Sequence, residues 1–89
     1  MKSTCSKALK KWGLKAQTMI FIEELGEVLQ ALSKHERGGG SSMLKEDLAE
    51  ELADLYITAK QMEIGYGIEK NVEEWKTHKL KMLEKKMED

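Results

Sequence analysis

A chain of 89 residues is enough for one domain and close to the size at which a single core leaves little net stability, so self-association is the expected remedy. Fifteen basic against sixteen acidic residues leave a formal charge of -1, which excludes the long-range field that draws a protein onto DNA, RNA or an anionic membrane. The lone Cys5 excludes an internal disulfide, no apolar run has the length of a signal peptide or membrane span, and the cytoplasm is the expected compartment.

With no proline, few aromatics and abundant Glu, Lys, Leu and Ala, the composition favours helix, and nothing alternates like a strand. The expectation is an all-α fold, one domain over residues 1–89. Ser3 or Thr4 caps a short first helix with Cys5, Ala8, Leu9 and Trp12 at three-four spacing, and Gly13 ends or bends it. A second helix runs from about Leu14 to Glu36, where Lys34, His35 and Arg37 suit a helix C-terminus before Gly38 breaks it. Its apolar arc also takes in Ile22 and Leu29, wider than one packed neighbour requires, and reads as a subunit interface.

Gly38-Gly39-Gly40-Ser41-Ser42 is short enough to join two antiparallel helices rather than two domains. Ser42 is the expected cap of a third helix running to about Ile64. Position N3 is then Lys45, so no capping box is expected, while Glu46 and Asp47 suit the N-terminal dipole. Gly65-Tyr66-Gly67 ends that helix, and Ile68 to about Met87 forms a fourth with Val72, Trp75, Met82, Leu83 and Met87 as its apolar side. Lys79 falls within that side and is expected to face inward unless it snorkels.

One stretch is nearly written twice. Glu23-Glu24-Leu25-Gly26-Glu27-Val28-Leu29 and Glu50-Glu51-Leu52-Ala53-Asp54-Leu55-Tyr56 both read acid, acid, Leu, small, acid, apolar, apolar. Each holds a pair of acids three apart, Glu24 with Glu27 and Glu51 with Asp54, which share one face of a helix. At about 100° per residue, Phe21, Leu25, Val28 and Leu32 fall on one side of Glu24, and Ile20 and Ala31 just on the other. Leu48, Leu52, Leu55, Ala59 and Met62 flank Glu51 in the same way, with Thr58 and Asp54 opposite. Glu24 and Glu51 are therefore expected to point toward a core, and Glu23 and Glu50 toward solvent.

An ExxE pair alone is a weak signal, because any Glu-rich surface helix supplies one. Two inward pairs on adjacent helices are different, since unpaired carboxylates brought together out of water repel and raise one another's pKa unless a cation neutralises them. Carboxylates without His or Cys select a hard ion, Mg²⁺ or Mn²⁺ before Zn²⁺. A di-iron bundle needs Glu followed three residues later by His, and neither His35 nor His78 has that partner. His35 reads as a helix-end cation and His78 as a surface neighbour of Trp75.

The tract Trp12-Gly13, Gln17, Glu23-Glu24-Leu25-Gly26-Glu27, Glu50-Glu51-Leu52-Ala53-Asp54 and Lys79-Leu80 resembles the MazG-type all-α nucleoside triphosphate pyrophosphohydrolases over nearly the whole chain. The resemblance implies a four-helix bundle-type fold, a homodimer or homotetramer, and Mg²⁺-dependent attack of water between the α and β phosphates of a nucleoside triphosphate. It makes Glu24, Glu27, Glu51 and Asp54 metal ligands and catalytic residues, puts Lys79 near the phosphates, and places Trp12 and Gln17 in the nucleobase pocket. Lys86 stands where an arginine is common, and lacks its bidentate fork. Trp12 has a competing reading as plain core of the first helix. The alternative function, from another class, is a non-catalytic helical interaction module whose acids are a regulatory or vestigial metal site; a third is a bare structural bundle with solvated acids.

Overall fold

The computed structural model describes residues 1–39 and 41–88, all organised around four helices, α1 (Lys2–Trp12), α2 (Leu14–Arg37), α3 (Ser42–Gly65) and α4 (Glu69–Met87), with no strand among them. The expected all-α fold is thus present. No helix of the described residues is long and apolar enough to cross a membrane. Gly40, part of the expected hinge between α2 and α3, lies outside the described residues.

Helix boundaries differ from the sequence expectation chiefly at the caps. α1 starts two or three residues earlier than a Ser3 or Thr4 cap would place it, with Met1 as cap through its carbonyl, which accepts the Cys5 N–H at 3.0 Å; no side chain caps it. α3 is capped by Ser41 rather than Ser42, its hydroxyl accepting the Leu44 N–H at 3.3 Å. Serine wins that place because its oxygen reaches an N–H otherwise left without a partner in the first turn. Between α1 and α2, Gly13 takes φ 88° and ψ 158°, a conformation that a side chain makes costly. One residue therefore turns the chain from the first helix into the second.

α2 and α3 form an antiparallel hairpin, the most extensive packing in the chain, and α1 lies mainly across α3. Cys5 is 1% exposed and its thiol donates to the Ile57 carbonyl at 3.7 Å. At the far end of α3, Gly65 has no Cβ where Leu14 and Leu9 press against it. The apolar core proper is small, with Cys5, Val28, Ala31 and Met62 as its buried members. Polar residues share the interior: Gln17 is 4% exposed, and its amide N–H donates to Gln61 Oε1 at 2.6 Å.

α4 departs from the expected arrangement. Its backbone packs against α3, and its first turn is anchored by Glu69, which accepts from Lys60 of α3 at 2.8 Å and from Lys2 of α1 at 3.1 Å. Val72 is half-buried, but Trp75, Met82, Leu83 and Met87, expected as an inward side, are exposed. Within one chain the four helices do not close into a bundle.

Candidate metal centre

The two acidic copies meet head to tail. The hairpin pairs Gln17 with Gln61 and, two turns further along α2 and two turns back along α3, brings Glu24 to Asp54 and Glu27 to Glu51. Antiparallel pairing is what makes the repeat useful, because each acid pair three apart then faces the other across one helix–helix contact. Glu24, Glu51 and Asp54 each offer a carboxylate oxygen, and these three lie within 4.8 Å of one another. Glu27 joins them as a more exposed fourth, beside Glu51 and Glu24.

The electrostatics follow from that crowding. The carboxyl of Glu51 is raised from 4.5 to about 7, first by its hydrogen bond with Glu27, then by partial burial, then by repulsion from Glu27, Glu24 and Asp54. Glu24 is raised as well, first by burial and then by the charges of Glu27 and Asp54. One oxygen each of Glu24 and Glu51 is buried without a hydrogen-bond partner. Two buried carboxylate oxygens lacking any donor are a defect in a finished core and an asset to a cation site. The donor set, all carboxylate oxygen, fits a hard divalent ion.

A groove of about 340 Å³ opens beside the acids, lined by Glu27, Gln30, Lys34, Asp47, Glu50 and Glu51 together with Ala31 and Leu44. Gln30, Lys34 and Asp47 lie outside the repeated motif, and following the same flank of each helix, from Glu27 to Gln30 and Lys34 and from Glu51 back to Asp47, finds them. Glu50, a member of the second copy expected to point toward solvent, stands at the rim of the groove.

No family model, curated protein or solved structure matches this chain. The residues themselves therefore carry the functional reading.

The remaining candidates are dispersed. Trp12 is 58% exposed and its ring lies 5.3 Å from the Lys11 ammonium, so it does not complete the core of α1 as one reading had it. Its neighbours on α1 form only a shallow apolar face with Ala8 and Lys11. Gln17 is brought to the hairpin but into its interior, away from the groove lining, with its carbonyl oxygen lacking a partner. Lys79, expected to face inward, is exposed and sits 5.8 Å from the Trp75 ring. It shares an open depression with Met82, Leu83, Lys85 and Lys86 on α4, and no residue of α4 lines the acid groove. The cause is packing: α4 leaves α3 after its first turns, so a position interrupting its stripe has nothing opposite. His78 stacks edge-on to Trp75 at 5.7 Å, as expected of a surface neighbour.

Proposed function

We propose that this chain is a Mg²⁺- or Mn²⁺-dependent nucleoside triphosphate pyrophosphohydrolase of the MazG type, a bundle-type protein working as a homodimer or homotetramer and releasing nucleoside monophosphate and pyrophosphate. The observation that carries the reading is the convergence of four carboxyls from two antiparallel copies of one motif, two of them with buried, partnerless oxygens. Glu24, Glu51 and Asp54 would hold the cation, with Glu27 beside them. Bound there, it would supply the positive charge that draws in a triphosphate and stabilises the charge developing on it.

The chain's own groups divide the rest of the work. Cys5 is buried against the backbone of Ile57 and no other thiol is present; on this reading water is the nucleophile. On this reading Glu27, the exposed acid at the edge of the close trio, would accept the proton of that water. Lys34, at the groove wall, is the cation within the same hairpin that can meet a phosphate oxygen. Lys79 takes the phosphate role only if another copy or a movement of α4 brings it to the groove.

Turnover in ¹⁸O-labelled water over a panel of nucleoside triphosphates tests the reading. Label is expected in the monophosphate; label only in pyrophosphate means attack at the β phosphorus, and label only in orthophosphate means a different enzyme class. Lys34→Ala and Lys79→Ala, assayed side by side, identify the phosphate cation by which one lowers kcat/KM with the fold intact. The exposed apolar side of α4 favours a second reading, the non-catalytic interaction module. No turnover together with no Mg²⁺ binding would establish that reading instead.

A further inference from the structure

α4 is held at one end. Only Glu69 and Val72 of this helix are half-buried, and every residue from Glu73 to Met87 is exposed. The turn before it is fixed by the backbone: Gly67 takes φ 68° and the Ile68 N–H donates to the Glu63 carbonyl at 2.9 Å, which closes the end of α3. Past that turn the ties are ionic. Glu69 Oε2 accepts from Lys60 Nζ at 2.8 Å, and Glu69 Oε1 lies 3.1 Å from Lys2 Nζ. The same Lys60 Nζ stands 3.6 Å from Glu63 Oε1, too far for a hydrogen bond, and that oxygen is buried with no hydrogen-bond partner among the described residues. Glu73 and Lys76 line the same cleft but bond to each other at 2.8 Å. One ammonium thus stands between a carboxylate of α3 and a carboxylate of α4, and bonds only the second.

We propose that Lys60 is a two-position latch for α4: bonded to Glu69 it holds the root of the helix against α3, and bonded to Glu63 it leaves the helix free to pivot at Ile68. Both positions are within its reach. Glu63 follows Lys60 at a spacing where side chains of one helix meet, and closing their 3.6 Å to the ~2.8 Å of an ammonium–carboxylate bond supplies the donor that Glu63 Oε1 lacks. Glu69 then turns to water, where Lys2, with a side chain 67% exposed, already stands. Ion pairs this close to solvent are weak and are screened by salt, so the two positions lie near one another in energy and ionic strength shifts their populations. Length converts the shift into movement. The 19 residues of α4 make a rod of about 28 Å, so a tilt of about 20° at the root carries its far end through about 10 Å. The latch stands apart from the chemistry proposed above; where that chemistry holds, it also sets how near Lys79 comes to the acid groove.

Spin labels on Ser33→Cys of α2 and Lys81→Cys of α4, both exposed positions, measure the angle of α4 as a distance by pulsed electron resonance. Cys5, 1% exposed, stays unlabelled, and labelled protein is diluted into unlabelled so that each distance lies within one chain. Circular dichroism checks that helix content is kept. In low salt the parent should give one narrow distance. Glu69→Gln, which removes the charge that holds Lys60 to α4, should broaden that distance or shift its mean by about 5 Å or more, and so should about 1 M NaCl on the parent. Glu73→Gln, which breaks the pair internal to α4, should leave it unchanged. A distribution that is already broad in the parent at low salt overturns the latch. So does one that neither Glu69→Gln nor salt alters, or one that Glu73→Gln alters as much as Glu69→Gln does.

Discussion

Glu51 sets the pH response of the folded chain. Its carboxyl titrates at about 7 when folded and near 4.5 otherwise, so between those values the folded state holds more protons than the unfolded one. Its favourable contribution is fully present below 4.5 and is lost as pH rises through about 7. Glu24 shifts the same way. Glu69 and Glu73 are lowered by Lys60, Lys2 and Lys76; their stabilisation is lost only as pH falls below 4.5, outside this window. Metal-free protein should therefore melt at a lower temperature at about pH 8 than at about pH 5, Glu51→Gln should flatten that slope, and Mg²⁺ should restore stability at the higher pH. A pH-independent Tm in the metal-free parent would show that the acids are not forced together. At this scale the phase of the acids was legible, because a carboxylate at helical spacing among Phe21, Val28 and Ala31 has one face to occupy. The placement of Trp12 and Lys79 was not, because shared phase says which residues lie together and not whether anything covers them.

At the scale of elements, the hairpin register decides whether the acids meet. Gln17 and Gln61 lie on the same contact two turns away, and their hydrogen bond is satisfied in one register only. Either Gln→Leu change alone leaves a buried amide without its partner and should cost about 1–3 kcal/mol. The double Leu variant should recover most of that loss, since the paired polar groups are removed together. Additive losses in denaturant melts would show that the two amides act independently. The α1–α3 junction makes a second test: a methyl at Gly65 meets Leu14 and Leu9, so Gly65→Ala should destabilise by about 1–3 kcal/mol, measurable as a lower denaturation midpoint at unchanged slope. Of these features the four helices and their turns were legible from spacing and glycines. The Gln pair was not, because a glutamine in an apolar row finds its partner across 44 residues of sequence, beyond any local pattern.

For the whole molecule, shape is the informative quantity. The radius of gyration is 15.8 Å and the extents are 41 × 35 × 18 Å, against about 12 Å expected for a compact chain of this length. The molecule is a hairpin with one helix across it and another standing away, and four small or medium residues make its apolar core. On the proposed self-association, its Tm should rise with protein concentration; a concentration-independent Tm would mean that the single chain is stable alone. The sequence by itself determined the all-helical fold, the positions of the breaks and the pairing of acids within each copy of the motif, because these depend on residues three or four apart and on local glycines. Only the tertiary structure decided that the copies meet head to tail, that Lys34 rather than Lys79 shares their groove, and that α4 and the outer row of α2 are left uncovered. Those outcomes depend on which helix faces are brought into contact across the turns, and the energy of a contact is set by the partner surface, which local spacing does not encode.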